Sequence, residues 1–194
     1  MQKTATVDGL HLKGTVHPAK KANLDIGGLA GINSGLVKNC SFAGTVSGTE
    51  RIGGIAGRNK VSGIIEDCTV SGTIYGDHYI GGIAGLSSGY IRSCYVKSQL
   101  RGKTYVGGIA GESRGYIRRC DVKAEIVGTD YVGGIAGQAS GYIRSCKVKS
   151  VISGAAYVGG IAGSATIVSD SYVMTHLQAV QLYGSILGIA ETPY

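Results

Sequence analysis

The phrase Ile/Val-Gly-Gly-Ile/Leu-Ala-Gly opens at Ile26, Ile52, Ile80, Val106, Val132 and Val158, in steps of 26, 28, 26, 26 and 26 residues. Self-similarity at a fixed period of this length marks a solenoid. One period is too short to bury a hydrophobic face alone, so each copy must stack on its neighbours. The 194 residues therefore read as a single elongated repeat domain, with function on a surface that the repeats build together. Residues 1–25 read as a partial leading coil, 26–163 as regular repeats and 164–194 as degenerate terminal coils.

The period resolves into strands. Cys94–Leu100 alternates with period two, as a half-buried strand does. Its inward positions repeat as Cys40/68/94/120/146, as Phe42/Val70/Val96/Val122/Val148 and as Val46/Ile74/Leu100/Ile126/Ile152. A fourth position is always small: Gly44, Gly72, Ser98, Ala124, Ser150. The positions between them wander, from Ser41, Thr69, Tyr95, Asp121, Lys147 to Thr45, Thr73, Gln99, Glu125, Val151. Constraint inside and freedom outside describe the wall of a tube.

A helix is excluded by four or five Gly per period, each costing about 1 kcal/mol in a helix interior. Three apolar patches per period, divided by Gly-containing turns, predict an all-β, three-sided parallel β-helix of about 26 residues per coil and roughly seven coils. The Gly at 48, 76, 102, 128 and 154 is expected to supply a positive φ at a corner. Leu12–Val16 matches Phe42–Val46, Ser171 takes the Cys place, and Tyr183–Ala190 echoes the phrase loosely.

At this spacing, the recurring Gly-Gly-Ile-Ala-Gly resembles the GLUG repeat of bacterial surface proteins, found in non-catalytic regions of IgA-specific zinc metallopeptidases and in large adhesin-like proteins. The resemblance implies a parallel β-helix at the cell surface or outside the cell, within a larger exported protein. It supplies no catalytic motif.

The chemistry-bearing residues are sparse. Five Cys, one per repeat at a single strand position, predict a ladder of buried free thiols rather than disulfides or a metal site. No Cys-x-x-Cys occurs, and His11, His17, His78 and His176 are scattered. The His-Glu-x-x-His of a metallopeptidase is absent. The glycine phrase lacks the Lys-Ser/Thr of a phosphate loop. Neither a cofactor nor a metal is expected, and the chain is expected not to be an enzyme. A glycan-active β-helix enzyme would need clustered carboxylates. Residues 80–157 offer Glu112, Asp121, Glu125 and Asp130, and elsewhere the nearest candidates are Glu66 and Asp67, one coil from Arg92.

All the excess charge lies on those same residues 80–157, with 11 Lys/Arg against 4 Asp/Glu, whereas the remainder holds 8 of each. Arg92, Arg118 and Arg144 should form one line, and Lys97, Lys123 and Lys149 a second line nearby. Like charges about 5 Å apart disfavour each other by about 1 kcal/mol even in water. The lines are thus either a polyanion-binding strip or a solvated face left by repeat duplication. Tyr90, Tyr116 and Tyr142 form an aromatic line, and Tyr79, Tyr105, Tyr131 and Tyr157 another. Such ladders either stack a ligand's rings or stabilise the strand stack.

The expected role is a non-catalytic structural or binding module: a stalk, spacer or adhesive surface. A self-assembling fibre subunit and a glycan-active enzyme are the alternatives. An acidic glycan or cell-wall polymer, or like subunits end to end, are the expected partners ahead of nucleic acid. No apolar run reaches the roughly 18 residues of a membrane span, and Met1–Thr6, without an apolar h-region, is not expected to open a signal peptide.

Overall fold

The computed structural model describes residues 5–19 and 24–179. These contain strands and no helix, and every strand pair is parallel. The chain winds in about six turns, some 26 residues apart, as a three-sheet β-solenoid. One turn runs His78–Gly81, Ala84–Ser87, Tyr90–Arg92 and Tyr95–Arg101. The first strand joins a six-stranded sheet and the fourth an eight-stranded sheet, while the two short ones share an eleven-stranded side. That side holds two ladders, which become continuous at Ala136–Arg144.

The core is the set of inward columns read from the alternation. Cys94, Val96 and Leu100 are buried, as are their counterparts from Cys40, Phe42 and Val46 to Cys146, Val148 and Ile152. Ile55/83/109/135 and Ile65/91/117/143 complete the interior from the other sides. His11–Val16 pairs in register with the following rung, Leu12 against Phe42. Leu12 is nevertheless 38% exposed, because only one side of its rung is covered among the described residues. The Tyr183–Ala190 echo lies outside the described residues.

The 28-residue step is absorbed in a turn. Between Asn59 and Ile64 the chain has two more residues than between Ser87 and Tyr90. They close on themselves through Gly63 N–H donating to the Lys60 carbonyl at 2.8 Å. The columns on either side keep their register, Asn59 against Ser87 and Ile64 against Tyr90.

Positive φ falls elsewhere than expected. Two residues per turn are left-handed, and nearly all carry side chains. Asp25, Arg51, Tyr79, Tyr105, Tyr131 and Tyr157 precede the glycine phrase, while Asn39, Asp67, Ser93, Arg119, Ser145 and Asp170 precede the Cys column. At the first set, pairing skips the residue on both strands: His78 meets Thr104 and Ile80 meets Val106, so Tyr79 and Tyr105 leave the ladder together and the register is kept. The closing Gly of the phrase packs against the backbone of such a left-handed residue. A Cβ on Gly85 would lie 2.4 Å from the Arg51 carbonyl carbon.

The Gly48/76/102/128/154 column is not left-handed, which corrects the expectation for it. Its reason is space: a Cβ on Gly102 would lie 2.7 Å from Ile80 Cγ1 and 2.8 Å from Val106 Cγ2. The small inward position also differs in detail. Ser98 and Ser150 are buried, but Gly72 (φ 119°) breaks the pleat and is exposed. Ser150 Oγ accepts from the Ala124 N–H at 3.1 Å, which interrupts the ladder between Asp121–Val122 and Glu125–Val127.

These two reasons for glycine have opposite mutational signs. Gly102→Ala is expected to destabilise by about 1–3 kcal/mol through overpacking. Arg119→Gly, at a left-handed corner that Gly9 already occupies in the first rung, is expected to stabilise by about 0.5–1 kcal/mol. Urea melts of both variants check the pair.

Candidate functional site

The outward columns hold whatever chemistry the chain presents. On the short strands Tyr90–Arg92 and Tyr116–Arg118, alternation turns Ile inward and Tyr and Arg outward, and Ala136–Arg144 ends in the same pattern. Tyr90, Tyr116 and Tyr142 stack in parallel, with ring centroids 4.9 and 5.0 Å apart. Tyr79, Tyr105, Tyr131 and Tyr157 do the same at 4.8, 4.9 and 4.4 Å. Burial, followed by the Tyr79 hydroxyl and nearby carboxylates, raises the Tyr105 phenol above its usual range.

In-register stacking at one strand spacing forces these rings onto each other. Their faces are thereby occupied, and edges and hydroxyls are what the interior rings offer to solvent. Each stacked pair contributes about 0.5–1.5 kcal/mol beyond its area burial. In the two preceding turns the Tyr79 column holds Asp25 and Arg51, which pair at 2.6 Å with both side chains largely buried. Arg58 reaches the same Asp25 at 3.1 Å.

Arg92, Arg118 and Arg144 do form one line, as their strand register shows. The column continues as Lys38 and Glu66 on one side and Ser169 on the other. Glu66 pairs with Arg92, and Asp170 pairs with Arg144 at 2.9 Å. Arg118 lies between them without a carboxylate partner among the described residues. A groove of about 440 Å³ follows this strip, lined by the three Tyr, the three Arg, Ile167 and Ser169.

Lys97, Lys123 and Lys149 are exposed on the eight-stranded sheet, beyond the left-handed corner at Ser93, Arg119 and Ser145. They line no part of the Tyr–Arg groove, so the second basic line lies on another side from the Arg line it was expected to neighbour. Lys123 instead leans over the Tyr95 ring, 5.8 Å from its centroid. The carboxylates weighed for glycan chemistry are not gathered either. Glu112, Asp121 with Glu125, and Asp130 fall on three different sheets. Glu112 is 2.6 Å from Arg114, and Glu125 is 3.5 Å from Arg101.

The five thiols are free and buried. Each donates to the carbonyl two residues back, across the left-handed corner: Cys40 to Lys38 at 3.0 Å, Cys94 to Arg92 at 3.3 Å and Cys146 to Arg144 at 3.4 Å. Ser171 makes the same bond to Ser169 at 3.0 Å. A second buried polar column was not foreseen: Asn33 donates to Asn59 at 2.9 Å, and Asn59 to Ser87 at 3.2 Å. It continues as Ser113, whose buried hydroxyl has no partner among the described residues, and then Ala139. The polar residues at matching offsets before each Gly-containing turn were its sequence signal.

Burial pushes the Cys94 thiol far above the ordinary thiol range. The folded Cys94 thiol therefore stays protonated while an unfolded one ionises near pH 8.5. The stability this contributes is complete below that pH and falls as pH rises above it. Thiol titration is expected to find no rapid reaction in the native protein and five equivalents after unfolding. Chemical melts should weaken progressively above about pH 8.5.

The family described as "The GLUG motif" matches residues 22–47 and 48–75. No curated protein matches the chain. Among solved structures, the chain is similar to a crystal structure described as "a putative immunoglobulin A1 protease from Bacteroides ovatus", at 21% identity and a TM-score of 0.61. The similarity covers 92% of this chain and 61% of that one, so the chain spans less than two thirds of its neighbour. At this identity the likeness shows the fold. The chain is a β-solenoid that carries GLUG repeats.

Proposed function

We propose that this solenoid is a non-catalytic structural module, a stalk or spacer that holds an adhesive or enzymatic part of a larger bacterial surface or secreted protein away from its anchor. The observation that carries this reading is the use of the outward columns. Tyr79 to Tyr157 close ring on ring, and Asp25, Arg51 and Arg58 form a largely buried ionic cluster. These outward groups thus bind one turn to the next. A rod of this kind resists bending because each turn is fixed to both neighbours along several lines.

The motif match and the likeness to the Bacteroides ovatus protein support the setting, since the chain spans only part of that protein. Antibodies raised against residues 26–163 are expected to label intact cells of the bacterium that makes the protein. Labelling that requires permeabilised cells would overturn the proposed location.

A further inference from the structure

We propose that the Tyr–Arg groove on the eleven-stranded side is a binding site for a linear carboxylated glycan, with one uronate-type carboxylate seated on Arg118. The charge pattern points to this position. Arg92 and Arg144, one rung to either side, are already held by Glu66 and Asp170. Arg118 is exposed and lacks such a partner among the described residues, yet it stands one rung from two other guanidinium groups. Like charges at this spacing repel each other even in water. A ligand carboxylate at Arg118 relieves that repulsion and completes a line of three paired arginines. The planar fork of Arg fits a carboxylate bidentately, which Lys cannot do.

The neighbouring column selects the rest of the ligand. Tyr90, Tyr116 and Tyr142 present hydroxyls in a row, with ring centroids 4.9 and 5.0 Å apart. The facing surfaces of these rings are closed against each other. Bases of single-stranded nucleic acid bind such proteins by stacking on free aromatic faces, and the interior of this ladder has none to give. A chain of sugar hydroxyls needs only donors and acceptors at the ring edges, which the tyrosine row supplies. The groove, of about 440 Å³, runs across successive rungs from Tyr90 to Ile167 and so accommodates an extended chain rather than a compact ligand.

The test titrates polygalacturonate oligomers into the full chain by calorimetry, with neutral dextran and single-stranded DNA as comparison ligands. Arg118→Gln and Lys123→Gln each remove one positive charge, the first inside the groove and the second outside it. Arg118→Gln is expected to weaken polygalacturonate binding about tenfold or more, as loss of a charged hydrogen-bonded pair does. Lys123→Gln should stay within about twofold of wild type, because a remote exposed charge is largely screened. Arg118→Lys, which keeps the charge and loses the fork, should fall between Arg118→Gln and wild type. No binding of polygalacturonate by wild type, equal weakening by Arg118→Gln and Lys123→Gln, or preference for DNA would each overturn the proposal.

Discussion

The structure depends on in-register parallel pairing of each turn with the next. A single turn cannot satisfy its own backbone, since its N–H and C=O groups point along the tube toward the neighbouring turns. Ile83 donates to the Ile109 carbonyl at 2.9 Å and Ile109 to the Ile135 carbonyl at 2.8 Å, and similar bonds run down every side. This spacing, about 4.8 Å per rung, dictates the side-chain chemistry. Where the repeat keeps the same residue, identical side chains meet, so an unvarying column has to be something that tolerates its own copy.

The columns show which residues meet that condition. Aliphatic residues do so inside, and thiols do so while bonding to their own corner carbonyls. Asparagine does so by donating to its copy, as Asn33 does to Asn59. Tyrosine does so by stacking. Arginine does not, and the two outer members of its line are neutralised by Glu66 and Asp170 from adjoining turns. The glycine phrase follows from the same closeness, because the last Gly of each copy after the first faces the backbone of a left-handed residue in a neighbouring turn. That residue is held in a conformation that costs about 1–2 kcal/mol where a side chain is present. Stacked tyrosines and the Asp25–Arg51 pair at these left-handed positions offset that strain.

Much of the fold was legible because repetition turns a single sequence into its own alignment. The inward register of Cys94, Val96 and Leu100 and the three-sided coil came from period-two alternation inside a 26-residue period. The corners were not legible. Tyr79, Ser93 and Arg119 give no sign of positive φ, since the compensating glycine lies in another turn or is absent. The Gly102 column looked conformational because its constraint comes from Ile80 and Val106, which only packing brings against it. The candidate site was half legible. The Tyr and Arg lines follow from repeat spacing, but Lys97 belongs to the next sheet because the chain turns at Ser93. Glu66 stands one 26-residue period before Arg92, so their pairing was within reach of the repeat spacing.

Spin labels placed four rungs apart on one outward column test the stack most directly. Thr45 and Val151 occupy the column that runs through Thr73, Gln99 and Glu125. Because the five native thiols are buried, Thr45→Cys with Val151→Cys offers two selective attachment points. In-register stacking at about 4.8 Å per rung places these backbones about 19 Å apart. Pulsed electron paramagnetic resonance should therefore give one narrow distribution centred near that value, within the reach of the label arms. A broad distribution, or one centred at twice that distance, would contradict a continuous parallel stack.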